Sequence, residues 1–243
     1  MDRVALITGG AKGIGRAVAL DLGSQDWSVA ICYRTSAREA AEVIDMVKLR
    51  GGNGLAVQCD ISNPKAAVDL VQRVNREYGR IDALINGAGP YHRLSLLKET
   101  NDGWHSMFDN NLHPVFYLSQ AVIPIMKERK WGRIVSFSMA NAEQLIAQPQ
   151  LTAHYIAKVG LLALSRSFAK LIAADGITMN CVSPGFIDSG SAPQEELDKM
   201  VKLIPAGYVG SVNDAVSAVR YLLSDEARYV NGANIQLSGA WGV

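Results

Sequence analysis

The stretch Thr8-Gly9-Gly10-Ala11-Lys12-Gly13-Ile14-Gly15 is where residue types and spacing point most directly to chemistry. Glycines let a chain turn sharply and bring its backbone close to a pyrophosphate. A helix starting there offers free N–H groups and the positive end of its dipole to the same phosphates. The spacing is Gly-x-x-x-Gly-x-Gly rather than the commoner Gly-x-Gly-x-x-Gly. The apolar run Val4-Ala5-Leu6-Ile7 precedes it and reads as a buried strand, and residues 16–22 carry the apolar spacing of a helix packed on a sheet. Strand, glycine turn and helix is the context in which such a motif cradles phosphate. The alternative is a glycine-rich turn that binds nothing.

The elements that must position this turn alternate along the whole chain. Strands are predicted at Trp27–Tyr33, 54–59, 81–86, 133–138, 177–182 and Asn234–Leu237. Helices are predicted over Ala37–Leu49, Pro64–Tyr78, 102–129, 152–174 and Val212–Leu223, with a polar segment at 188–202. Pro64 suits a first helical turn, and Gly79 suits a helix end. Strands alternating with helices of this length imply an α/β, doubly wound parallel sheet with helices on both faces. Right-handed crossovers then place ligands at the carboxyl ends of the strands. No repeat, low-complexity tract or linker interrupts the pattern, so residues 1–243 read as one domain.

Composition narrows the function. Nearly half of the 243 residues are apolar (49%), enough for a sizeable core without metals or disulfides. A formal net charge of +1 argues against nucleic-acid binding as the main role. Cys32, Cys59 and Cys181 are scattered through strand-like runs, which suits reduced thiols better than a disulfide framework. No apolar run is long enough to span a bilayer and no leader precedes Val4, so a cytoplasmic protein with no membrane partner is expected. His105 and His113 lack ligand partners at useful spacing, so no metal is expected.

Further motifs fall at strand ends in a fixed order. They are the glycine turn, Asp60-Ile61, Asn86-Gly87-Ala88-Gly89 and Ser183-Pro184-Gly185-Phe186-Ile187. Asn111-Leu112 and Lys158-Val159-Gly160 lie in helices, with Leu223-Ser224-Asp225-Glu226-Ala227 and Val230-Asn231-Gly232 near the end. Together they resemble the short-chain dehydrogenase/reductase family over essentially the whole chain. The resemblance implies a single-domain Rossmann fold of seven parallel strands, a nicotinamide dinucleotide across the strand ends, and a homodimer or homotetramer. The implied cofactor positions are Gly9, Lys12, Gly13, Ile14, Gly15, Arg34, Asp60, Ile61, Asn86, Gly87, Ala88, Lys158, Pro184, Gly185, Ile187 and Ser189. A substrate lid is implied over about 188–203.

The preferred dinucleotide follows from charge. A protein selective for NAD(H) usually ends its second strand on a carboxylate that binds the ribose hydroxyls. Here that strand ends Cys32-Tyr33-Arg34-Thr35-Ser36. Arg34 and Lys12 together would pair with a 2′-phosphate through charge-assisted hydrogen bonds, so NADP(H) is preferred over NAD(H). Asp60 would accept from the adenine amino group or, alternatively, cap the next helix. Gly87 stands where the family usually has a second asparagine.

At the catalytic positions this sequence departs from the family. Its members combine an asparagine that anchors a water, a serine that polarises the substrate carbonyl, a tyrosine that exchanges the proton and a lysine that lowers the tyrosine pKa. Asn111 and Lys158 match the first and last. The tyrosine position, four residues before Lys158, is His154, and the serine position, seven residues after Gly132, is Met139. Tyr155 and Ser138 are the neighbours whose hydroxyls could substitute. On a helix both i,i+3 and i,i+4 pairs share a face, so His154 and Tyr155 each flank Lys158, with His154 at the correct offset. Ser138 serves only if the strand turns there, because adjacent strand residues face opposite ways. Two functions follow from these residues: an oxidoreductase moving hydride between nicotinamide and a small carbonyl or alcohol substrate, or a dinucleotide-binding sensor or partner subunit without turnover.

Overall fold

The computed structural model describes residues 2–190 and 192–242. In chain order the elements are β1 (Arg3–Thr8), α1 (Gly13–Leu22), β2 (Trp27–Tyr33), α2 (Ala37–Leu49), β3 (Asn53–Gln58) and α3 (Pro64–Tyr78). Then come β4 (Ala83–Asn86), α4 (Asn101–Asn111), α5 (His113–Lys127), β5 (Gly132–Phe137), α6 (Thr152–Ile172) and β6 (Ile177–Pro184). The chain finishes with β7 (Ile187–Asp188), α7 (Gln194–Val201), β8 (Gly210–Ser211), α8 (Val212–Leu223) and β9 (Asn234–Leu237).

Seven strands form one parallel sheet in the order β3-β2-β1-β4-β5-β6-β9. The order reverses between β1 and β4, and a doubly wound sheet opens its ligand crevice at that switch point. Strand alternation divides the apolar residues between two cores. In β1, Val4 and Leu6 face α3, α5 and α6, where Leu70, Leu118 and Leu161 are buried. Ala5 and Ile7 face α1, α2 and α8, where Val18, Val43 and Leu222 are buried.

Helix boundaries follow local chemistry. Asn63 caps α3 by accepting from the Ala66 N–H at 3.0 Å, Pro64 sits in the first turn, and Gly79 ends the helix at φ 71°. Ser211 and Asp214 form a capping box on α8. One boundary corrects the sequence reading. The expected helix over 102–129 is two helices, α4 and α5, broken at Leu112. Pro114 has no N–H to return to the Asn110 carbonyl, which removes a rung of the ladder where it would cross Leu112.

The segment 188–203 also holds more order than its polar composition suggests. α7 occupies its middle, and β7 pairs with β8 beside the main sheet, a pairing the sequence reading did not foresee. Ser191 of this segment lies outside the described residues. Among the described residues no helix is long and apolar enough to cross a membrane, and no group of three or more His, Cys, Asp or Glu lies together as a metal site.

Candidate active site

Three adjoining cavities run along the carboxyl ends of the strands. The first, about 470 Å³, is lined by Gly9, Lys12, Arg34, Asp60, Ile61, Gly87 and Ala88, with Thr35, Ser36 and Asn110 beside them. At its floor a Cβ on Gly15 would lie 2.4 Å from the Gly9 carbonyl oxygen, so only glycine lets α1 begin this close under the turn. Gly13 and Gly15 are absent from the wall; Gly15 acts here through this packing. The N-terminus of α1 has no side-chain cap and no acid in its first turn, which leaves its N–H groups free for an anion. These features fit the phosphates of a dinucleotide.

Charge at this end is partly committed. Arg34 donates from Nη1 to Asn110 Oδ1 at 3.1 Å, and Lys12 Nζ lies 2.9 Å from Glu39 Oε1 in the first turn of α2. The Lys12 ammonium holds the Glu39 carboxyl below its ordinary range. Sequence reasoning missed Glu39, which lies beyond the strand end where an acid was sought. Asp60 is held by Ser62, whose N–H and Oγ donate to Oδ1 at 3.1 and 2.7 Å, and these bonds lower its pKa. It does not cap α3, because Asn63 does.

Asn86 sits behind the cavity wall. It is buried, donates from Nδ2 to Ser136 Oγ at 3.0 Å and does not reach a cavity wall. Thr8, unremarked in the sequence, does positional work instead. Its Oγ1 accepts from the Gly87 and Ala88 N–H groups at 3.1 and 3.2 Å and ties the end of β1 to the loop after β4.

The second cavity, about 620 Å³, is lined by Ile14, Ser138, Met139, His154, Lys158, Pro184, Gly185, Ile187 and Ser189, and is roofed by α7. Lys158, on the buried face of α6, donates from Nζ to the Phe137 carbonyl at 2.7 Å. Burial pushes its pKa down to about 8, against a smaller opposing pull from Cys181. Asn111 donates from Nδ2 to the Pro90 and Met107 carbonyls at 3.0 and 2.9 Å, while its buried Oδ1 has no partner in the protein. A Cβ on Gly89 would lie 2.4 Å from Asn111 Oδ1 and 3.2 Å from Lys158 Nζ, so glycine keeps this polar corner open.

His154 lies one helical turn before Lys158 on the same wall, 9% exposed. Burial first, and the Lys158 ammonium second, lower its pKa from 6.5 to about 4, partly offset by the Pro90 carbonyl. Its Nδ1 is buried without a partner. Tyr155 is turned away from all three cavities. Its hydroxyl donates to the Asn141 carbonyl at 2.9 Å and accepts from the Ile146 N–H at 3.1 Å, so it fastens the 141–146 loop to α6. Its hydroxyl is therefore committed to the loop rather than to a cavity. Ser138 reaches the wall, but its Oγ donates to the Lys158 carbonyl at 3.0 Å. Met139, beside it, faces both this cavity and the next.

The histidine shift has a consequence for stability. A base whose folded pKa is depressed leaves the unfolded chain holding the extra proton between the two values. Stability should therefore fall as pH drops from 6.5 towards about 4, by about 3 kcal/mol for this group alone. Urea denaturation across that window should show a steeper loss for the native chain than for His154→Gln; equal slopes would contradict the burial argument.

Comparison with known proteins adds the family. A family model described as enoyl-(acyl carrier protein) reductase matches residues 9–240. The 3-oxoacyl-[acyl-carrier-protein] reductase FabG of Staphylococcus aureus is 31% identical, with 98% of each chain covered. That of Salmonella typhimurium is 33% identical over 98% of this chain and 96% of its own. Among solved structures, a putative short-chain alcohol dehydrogenase from Sinorhizobium meliloti superposes with TM-score 0.91 at 26% identity, covering 98% of this chain and 96% of that one. Acetoin dehydrogenase YohF from Salmonella typhimurium does so with TM-score 0.91 at 26% identity, covering 99% and 96%. These relatives are named as reductases and dehydrogenases, which favours an enzyme over a silent partner subunit. With its seven-stranded parallel sheet and glycine turn, the chain belongs to the short-chain dehydrogenase/reductase family, a nicotinamide-dinucleotide-dependent oxidoreductase by fold and kinship.

Proposed function

We propose that the chain is an NADP(H)-dependent carbonyl reductase, working as one domain, in which His154 replaces the usual tyrosine as proton donor. The observation that carries this reading is the arrangement on α6: His154 on the cavity wall, Lys158 one turn behind it, Tyr155 turned away. The bound nicotinamide supplies or accepts the hydride. His154 is neutral at pH 7, and a neutral imidazole carries one N–H. A lone pair at the unpartnered Nδ1 costs less than a stranded donor there, so the proton sits on Nε2. Nε2, which faces the Pro90 carbonyl before substrate binds, gives that proton to the substrate oxygen as negative charge develops, and the imidazolate left behind is stabilised and reprotonated by the Lys158 ammonium. Asn111 Oδ1 and Lys158 Nζ, both beside the space that Gly89 leaves open, form the polar corner through which the proton is replaced. Ser138 and Met139 shape the wall; neither donates to substrate.

Arg34 and Lys12 support the preference for NADP(H), with Glu39 holding Lys12 in place. The test is a fluorescence titration with NADPH and NADH, combined with NADPH oxidation against ketones, aldehydes, quinones and β-ketoacyl thioesters. Arg34→Gln should weaken NADPH binding about tenfold while leaving NADH affinity unchanged, the effect of losing one charge-assisted hydrogen bond. Equal losses for both nucleotides would remove the 2′-phosphate assignment. Assembly as a dimer or tetramer is supported by the exposed Phe116, whose ring packs beside Tyr117 and Phe168 on the outer face of α5 and α6.

A further inference from the structure

We propose that the third cavity selects a carbonyl substrate bearing a carboxylate on a flat apolar body, and that Arg93 is the residue that recognises the carboxylate. The inference rests on the oxidoreductase reading of the same site. This cavity, about 270 Å³, shares Tyr91, Met139, His154 and Pro184–Phe186 with the second, so a molecule lodged in it presents its near end to His154. Its walls are aromatic. The Tyr91 ring lies 5.8 Å from the His154 imidazole, and the Phe186 and Trp241 rings lie 4.6 Å apart, tilted by 47°. A flat ring packs well against such rings in edge or tilted contact.

Arg93 is the one permanently charged side chain among the described residues that line this cavity, and no acid faces it. Two other basic groups already have acidic partners: His92 Nε2 lies 2.7 Å from Glu99 Oε2, and Arg166 pairs with Glu143. Arg93 is exposed and belongs to none of the ion pairs among the described residues. The backbone that carries it is nevertheless fixed. The Leu94 and Leu96 N–H groups donate to the Gln150 and Pro149 carbonyls, each at 2.9 Å, which pins the 93–96 strap to the opposite wall. A guanidinium at the rim of an apolar cavity matches a carboxylate through two parallel hydrogen bonds. In the reaction, the carbonyl carbon gains hydride from the reduced nicotinamide and the oxygen gains the His154 proton. The C=O π bond breaks, a C–H and an O–H bond form, and a hydroxy acid leaves.

The test compares 4-formylbenzoate with its methyl ester, using NADPH oxidation by the full chain and its Arg93→Gln and Arg93→Lys variants. The native chain should favour the acid at least about tenfold in kcat/KM, chiefly through KM. Arg93→Gln should collapse that ratio, and Arg93→Lys should restore part of it. In parallel, calorimetry should show 4-(hydroxymethyl)benzoate binding to the NADP-loaded protein with an affinity that Arg93→Gln lowers about tenfold. Turnover of ester and acid alike, with no Arg93-dependent ratio, overturns the carboxylate site and leaves the His154 reading standing. Arg93-dependent binding of the acid without turnover supports the carboxylate site and counts against the His154 reading.

Discussion

His154→Ala lowers kcat about 10²- to 10⁴-fold, the usual worth of a positioned proton donor, while NADPH binding stays close to native. Tyr155→Phe leaves kcat within a few-fold and instead costs about 1–3 kcal/mol of stability, since its hydroxyl joins Asn141 and Ile146 rather than facing a cavity. The contrast is diagnostic because the two residues adjoin on one helix and both neighbour Lys158. Only the i,i+4 member points along the wall. His154→Tyr should recover much of the lost turnover, because a phenol at that offset again stands beside the Lys158 ammonium. Steady-state kinetics on the three variants, read with urea melts, decides the matter. Loss of turnover in Tyr155→Phe with retention in His154→Ala would reverse the assignment.

Asp82→Ala should destabilise the fold by about 3–5 kcal/mol, a large share of the total stability of an ordinary domain. Asp82 is 1% exposed, accepts from the Val4 N–H at 2.8 Å and receives two 2.7 Å bonds from the Arg80 guanidinium. Removing the carboxylate strands an amide at the start of β1 and a half-buried cation beside β4, the two strands that flank the switch point. Asp82→Asn keeps one acceptor and should cost less. Chemical denaturation measures both, and a loss below about 1 kcal/mol for the alanine variant would show that water replaces the carboxylate.

Much of this architecture could be read from the chain because local signals agreed with the tertiary outcome. β2, α2, α3, α8 and β9 lie where periodicity, Pro64 and Gly79 placed them. The glycine turn was legible because its context, strand then helix, is a local property. The rest depended on facts that are not local. Whether Pro114 divides a helix or merely bends it depends on what packs around Leu112. The sequence shows that Tyr155 and His154 both neighbour Lys158, but which one faces the cavity depends on how α6 is rotated on the sheet. Glu39 reaches Lys12 only because α2 folds back beside the glycine turn. Asn86, a cofactor candidate by motif, turns into the sheet because Ser136 on the neighbouring strand offers it a partner.

The Tyr155 clasp also bears on how this enzyme could be re-engineered. Exchanging the 140–150 segment with that of a relative is the obvious route to a new substrate range, since the segment borders the outer cavity. Here the donor segment must bring a backbone carbonyl and a backbone N–H to the places now filled by Asn141 and Ile146. A graft of different length leaves the phenol hydroxyl buried without partners. It thereby loosens the helix that carries His154 and Lys158, so altered selectivity and lost turnover would arrive together unless position 155 is changed in the same step.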